Sequence, residues 1–122
     1  MIEATVRAMV QLGASRAAIV AAIGPCIRQP SYEVGADLRD AVIANRQDHA
    51  RFFTPGRRDA RWQFDLPGYC AARLAACEIR SVSVLDADTA ADEALFFSYR
   101  RRTLAGGGPI GHQISMIVLD PG

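Results

Sequence analysis

Residues 96–102 carry the densest chemistry in the chain. Phe96-Phe97-Ser98-Tyr99-Arg100-Arg101-Arg102 sets adjacent aromatics and a hydroxyl against three consecutive guanidinium groups. A guanidinium is a planar fork of donors suited to phosphate or carboxylate. An Arg run by itself is ordinarily a solvated face. One joined to Phe-Phe cannot be wholly solvated, because the aromatics gain by burial. The segment is therefore expected to hold cations at the edge of a core or pocket, between two strands. Strand-like alternation would place Ser98 and Arg100 on one face and Arg101 on the other, so both arginines would not serve one site. Pairing with Glu or Asp is the competing, structural role for them.

Other candidates lie upstream. Gly24-Pro25-Cys26-Ile27 follows an expected strand, where α/β folds commonly bind ligands. Gly24 and Pro25 fit a loop whose backbone approaches a ligand, and equally a rigid turn with a buried Cys. Cys26 as a nucleophile would need a base, and neither His49 nor His112 is linked to it by spacing. Tyr32 could stack on a planar ligand ring, and Glu33 could accept from a ligand donor. Packing by Tyr32 and complementation of a helix dipole by Glu33 explain the same residues more simply. Asp86 and Asp88 have the look of a metal-binding pair, but loop-capping carboxylates share that pattern. The Gly106–Gly111 run lacks a Gly-Lys-Ser/Thr ending and leads into a strand, so it is not a phosphate loop. His49, in a polar stretch, is expected to be exposed. The two histidines have no Cys or acidic partner at ligand spacing and make no metal site.

The elements that must position these groups follow from periodicity. Ile2, Val6, Met9 and Val10 fall at helical spacing, with Gly13 as a stop. Ala17 to Ile23 reads as a buried strand. Ser31 is a candidate N-cap with Glu33 in the first turn, and Val34, Leu38, Ala41 and Val42 make one apolar face. From Asn45 to Trp62 the pattern breaks down around a Thr54-Pro55-Gly56 turn, with Phe52 and Phe53 as anchors. Asp65 should cap a helix carrying Pro67 in its first turn and Leu66, Cys70, Leu74 and Cys77 on one face. Ser81 to Leu85 and Gln113 to Leu119 read as strands, and Asp86 to Leu95 as a loop with a short helical turn. Helices alternating with apolar strands argue a layered α/β fold in one domain.

Composition sets the bounds. The 122 residues can bury roughly two-thirds of their unfolded surface. Half are hydrophobic, which is a globular composition. Net charge is +1, so nothing argues for nucleic-acid binding. All 14 basic residues are Arg, spread through every region. Three cysteines without a CxxC, and a Met1 that leads straight into a helix, fit reduced thiols in the cytoplasm. No apolar run reaches the ~20 residues that span a bilayer.

Four motifs, in order and across nearly the whole chain, resemble the polyphenol oxidase or laccase-domain family (YfiH-like proteins). They are Ile23-Gly24-Pro25-Cys26-Ile27 with Ser31-Tyr32-Glu33-Val34-Gly35, Phe64-Asp65-Leu66, Phe96-Phe97-Ser98-Tyr99-Arg100-Arg101, and Gly111-His112-Gln113-Ile114-Ser115. His112 stands where the family usually shows Arg. The resemblance implies an α-β-β-α sandwich with mixed sheets, of which this chain looks like the C-terminal half. It implies phosphorolysis of adenosine or inosine, with adenosine deamination as a second activity and copper-dependent phenol oxidation as the alternative. A non-catalytic anion- or partner-binding remnant is a third reading. The substrates implied are a purine nucleoside and phosphate, with Ser98, Arg101, Arg100, Tyr32, Glu33, Gly24 and Pro25 as binding positions. The family's metal site resembles a two-His, one-Cys zinc site whose ligand motifs do not occur here. The chain is thus expected to carry no zinc or copper, to be inactive alone, and to self-associate through uncovered surface.

Overall fold

The computed structural model describes residues 1–121. The elements are α1 (Ile2–Gln11), β1 (Val20–Ile23), β2 (Glu33–Val34), α2 (Ala36–Asn45), β3 (Phe53–Pro55), β4 (Trp62–Phe64), α3 (Leu66–Ala75), β5 (Ser81–Val84) and α4 (Tyr99–Leu104). Short 3₁₀ turns precede β1, β2 and β3. This is the expected α/β class, with one parallel and one antiparallel sheet. β1 and β5 pair in parallel, Val20 opposite Ser81. β2, β4 and β3 form the antiparallel sheet in that order.

Local chemistry explains the helix ends. Gly13, at φ 108°, adopts the left-handed conformation that stops α1. Asp65 caps α3, its Oδ1 accepting from the Gly68 amide at 3.1 Å. Gly68 has to be glycine beside that carboxylate, because a Cβ there would collide with Asp65 Oδ2. Pro67 occupies the first turn, where no N–H is needed.

Two apolar clusters hold the elements together. Val6, Ile19 and Cys77 join α1 to the β1 entry and the end of α3. Val34, Phe52 and Phe64 form the other, joined by Tyr32, Leu38, Val42, Phe53, Trp62 and Tyr69. Phe53 and Phe64 stack at 4.6 Å with 7° between planes. Among the described residues no large side chain is fully buried, so both clusters are thin. No helix among them is long and apolar enough to cross a membrane.

Glu3 and Arg73 clamp α1 to α3, with two hydrogen bonds of 2.5 and 2.6 Å. Arg73 holds the Glu3 carboxyl below its ordinary 4.5, against burial acting the other way. A carboxyl with a depressed folded pKa stabilises above its unfolded pKa, and that support is lost as pH falls through the folded value. The melting temperature should therefore fall on acidification below about pH 4.5. Arg73→Met should flatten that acid limb, measured as Tm against pH in both proteins. An unchanged limb would remove the clamp from the account.

Several expectations are corrected. Gln113 to Leu119 forms no strand; the segment runs past α4 with Ile114, Met116, Ile117, Val118 and Leu119 all more than 80% exposed. Among the described residues no strand lies beside it to complete its hydrogen bonds. Ser31 is not an N-cap and Glu33 is not in a first turn: Ser31 ends a 3₁₀ turn, Glu33 opens β2, and Gly35 caps α2. Residues 17–19 are turn and coil, so β1 is shorter than read. Residues 45–62 hold structure the pattern did not show, since Thr54-Pro55 is strand and pairs with Trp62 and Gln63. His49 is buried, 6% exposed, between Phe52 and Tyr69.

Candidate functional site

The antiparallel sheet and α4 face each other across a cavity of about 450 Å³. β2 supplies Glu33, the β3–β4 turn Arg57 and Arg58, β4 Gln63, and α4 Arg100 and Arg101. Residues 99–104 are helix rather than strand, so the expected alternation does not arise, and Arg100 and Arg101 line one cavity. Ser98 starts that helix: its Oγ accepts from the Arg101 amide at 3.2 Å, an N-cap the strand reading missed.

The four arginines are held differently. Arg101 donates to three backbone carbonyls, Thr89 at 3.0 Å, Ala90 at 3.1 Å and Phe96 at 2.7 Å. It ties the loop after β5 to α4. Arg58 donates to Glu33 through Nε at 2.6 Å. Arg100 lies over the Tyr32 ring, 5.5 Å from its centroid, a cation–π contact that fixes its direction. Among the described residues, the side chains of Arg57 and Arg100 have no carboxylate partner.

Glu33 also accepts from the Arg57 and Arg58 amides, at 2.7 and 3.3 Å. The Arg58 hydrogen bond holds its carboxyl below the ordinary 4.5. It therefore shapes the rim of the cavity and stays ionised at neutral pH. Gln63 is pinned by its amide, which donates to the Gln29 and Pro30 carbonyls at 3.1 and 2.9 Å. Its Oε1 is buried without a hydrogen-bond partner, an acceptor on a cavity-lining residue.

The other predicted positions fall elsewhere. Tyr32 packs on Phe64, with ring centroids 5.8 Å apart. Gly24 and Pro25 follow β1 and do not line the cavity. Ser98 faces a neighbouring hollow of about 210 Å³ beside Phe97 and Gly111. Asp88 is a capping carboxylate: it accepts from Ser31 Oγ at 2.6 Å and from the Ala90 and Ala91 amides at 2.9 and 3.3 Å. Burial pushes its pKa up, but these bonds outweigh it and the carboxyl lies below its ordinary value. Asp86 is fully exposed, 3.5 Å from Arg28. Sequence reasoning missed Arg57, Arg58 and Gln63, and an Arg pair beside a turn was the only signal for them.

The residues present do not fit a metal centre. Among the described residues no group of three or more His, Cys, Asp and Glu is placed to hold an ion. Burial raises the Cys26 and Cys70 thiols above their ordinary 9.0, so neither supplies a thiolate at neutral pH.

Known proteins share this fold. A Bacillus licheniformis hypothetical protein YfiH superposes with a TM-score of 0.75 at 24% identity, over 82% of this chain and 39% of that one. A DUF152 protein of Neisseria meningitidis superposes at 0.71 and 24%, over 82% and 42%. A purine nucleoside phosphorylase of Pseudomonas aeruginosa is 31% identical over 106 residues, 87% of this chain and 43% of the relative. One of Rickettsia prowazekii is 28% identical over 101 residues, 83% and 41%. The chain spans about two-fifths of the length of these relatives. Residues 1–120 match the family described as multi-copper polyphenol oxidoreductase laccase, and with fold and motif order in agreement the chain belongs to that family.

Proposed function

We propose that the chain is the C-terminal portion of a cytoplasmic purine nucleoside phosphorylase, and that the cavity between the antiparallel sheet and α4 takes the phosphate. The observation that carries this is the pair Arg57 and Arg100, two guanidiniums that line the cavity without a carboxylate partner. The name of the Pseudomonas aeruginosa relative supports the substrate.

In phosphorolysis a phosphate oxygen bonds to the anomeric carbon as the bond to the purine nitrogen breaks. The electron pair leaves with the base, which takes up a proton, giving the free purine and ribose 1-phosphate. The chemistry asked of this chain is to hold and orient an anion and to balance its charge. Arg57 and Arg100 do so directly. Arg101, with the Ser98 cap, fixes α4 so that Arg100 points inward. Tyr32 props Arg100, and Glu33 shapes the turn that presents Arg57. Gly24 and Pro25 end β1 and set the course of the loop toward Ser31.

Adenosine deamination, the second activity, needs an activated water, and zinc would supply that chemistry in the family. The donors of the described residues do not assemble such a site, so residues beyond this chain would carry the step and the chain alone is expected to be inactive. Copper-dependent phenol oxidation is the family's other named chemistry; no donor cluster here favours it.

The test is phosphorolysis of inosine by the chain completed with an upstream half from the family. Arg57→Met and Arg100→Met should each lower kcat/KM for phosphate about tenfold or more, because a charge-assisted hydrogen bond is worth roughly 1.5–3 kcal/mol. Arg7→Met, on exposed α1, should change nothing. Equal, small effects from all three would place the phosphate elsewhere.

A further inference from the structure

The stretch from Gln113 to Leu119 has the composition of a strand and no sheet to join. It carries no charged residue, and it is neither helix nor paired strand. In an extended chain Ile114, Met116 and Val118 fall on one side, and Ser115, Ile117 and Leu119 on the other. Its five large apolar side chains are 81–89% exposed. Among the described residues only Gln113 ties the segment to the body by a hydrogen bond, its Nε2 donating to the Phe97 carbonyl at 2.9 Å. The tether before it contains Gly106, Gly107 and Gly108, all at positive φ. Glycine takes such angles without steric cost, so the tether can redirect the segment.

The matching feature is the free side of β1. β1 pairs only with β5 among the described residues, so its other edge presents N–H and C=O groups without a ladder partner. Val20–Ile23 contains neither a charge nor a proline, the residues that ordinarily keep an edge from pairing. Beside it lies an apolar hollow of about 290 Å³. Met1, Val6 and Met9 line it from α1, Val20 from β1 and Leu74 from α3. No β5 residue lines it, so it opens on the side of β1 away from its partner strand.

We propose that residues 113–119 of one copy add as a strand to the free edge of β1 in a second copy, with one row of apolar side chains seated in the hollow. The exchange is reciprocal. Each copy holds both the unpaired strand and the open edge, so a two-fold dimer satisfies both and closes. The area is sufficient. The accessible surface of 8583 Å² exceeds that expected of a compact chain by roughly 2,200 Å², against roughly 800 Å² given up by each partner in a stable complex. Charge agrees as well: neither surface offers a charge for a charged partner to match, and the uncharged counterpart is present in the chain itself. None of these residues lines the phosphate cavity, so the dimer stands or falls separately from the phosphorylase reading.

Sedimentation equilibrium of the unaltered chain over a concentration series is the first measurement. The mass should level at twice 13.2 kDa. Hydrogen exchange read by mass spectrometry should show 20–23 and 114–119 slowing together as the dimer forms. Two proline variants then separate strand pairing from unspecific apolar contact. Successive N–H groups of a strand point to opposite sides, so one of Ile117→Pro and Val118→Pro removes an N–H aimed at β1 and the other does not. One should weaken the dimer about tenfold or more, and the other much less. Neither position makes a hydrogen bond within the described chain, so the body should fold in both variants. A mass fixed at 13.2 kDa, or one that climbs without levelling, would overturn the proposal. So would protection of 114–119 in the monomer, which would fold the segment onto its own chain, a dimer protected elsewhere, or a dimer indifferent to both prolines.

Discussion

Arg101→Ala is expected to melt the region from the loop after β5 through α4, and with it the cavity wall. The guanidinium satisfies three carbonyls on two segments, Thr89 and Ala90 on one side and Phe96 on the other. Alanine would leave those acceptors partly buried without donors, at roughly 1–3 kcal/mol for such a group. That is a large share of the 5–15 kcal/mol typical of a whole domain. Arg101→Lys should recover little, since one ammonium on a flexible stem cannot span three acceptors set out for a planar fork. Arg102→Ala, at an exposed position, should be nearly silent. Denaturant unfolding of the three variants decides the matter. A loss in Arg101→Ala no greater than in Arg102→Ala would show that α4 is held by something else.

The isolated chain should also self-associate. Its accessible surface is 8583 Å², whereas a compact chain of 13.2 kDa is expected near about 6,400 Å². The excess is of the order of a whole protein–protein interface. Much of it is apolar: Leu95, Phe97, Tyr99 and Leu104 are each more than half exposed, as are Ile114 and Met116 to Leu119. β1 and β5 form a two-stranded parallel sheet with both outer edges unpaired, an arrangement seldom left open to water. Light scattering should give a mass well above 13.2 kDa. Ile114→Asp with Val118→Asp should bring it down. A monodisperse monomer with a cooperative melt would show that the chain is self-sufficient.

The helix ends at Gly13 and Asp65 were legible in the sequence, whereas Ser31 was misread as a cap and Ser98 was not read as one. Gly13, Asp65 and Pro67 act at the positions where their side chains or backbone freedom predict, because capping is decided within one turn. The hairpin of Phe53–Pro55 with Trp62–Phe64 was hidden, since its strands are three residues each and carry no usable alternation. Gln113 to Leu119 reads as a strand by composition, but a strand exists only where a neighbour takes its hydrogen bonds. The site followed the same division. Arg100, Arg101 and Glu33, singled out by residue type, line one cavity, but their contacts could not be read from the sequence. Arg101 turns to backbone carbonyls and Glu33 to Arg58, both set by packing between segments distant in sequence. His49 shows the limit most clearly: a polar neighbourhood in the sequence became an aromatic one once Tyr69 folded against it.

The parallel pairing of β1 with β5 has a kinetic side. The two strands pair residues far apart in the chain, Val20 with Ser81 through Ile23 with Val84, and Ser83 Oγ reaches the Ala21 carbonyl across 62 residues. Closing so long a loop is entropically unfavourable until the intervening segment is compact. The cluster of Val34, Phe52 and Phe64 involves residues at most thirty or so apart, so it can collapse first and shorten the effective loop. On this order of events the sheet that carries the Gly24-Pro25 turn is the last element to assemble and the first to open. A nascent or partly unfolded chain would then present Val20–Ile23 and Ser81–Val84 as bare strands while the arginine-lined end of the antiparallel sheet is already formed.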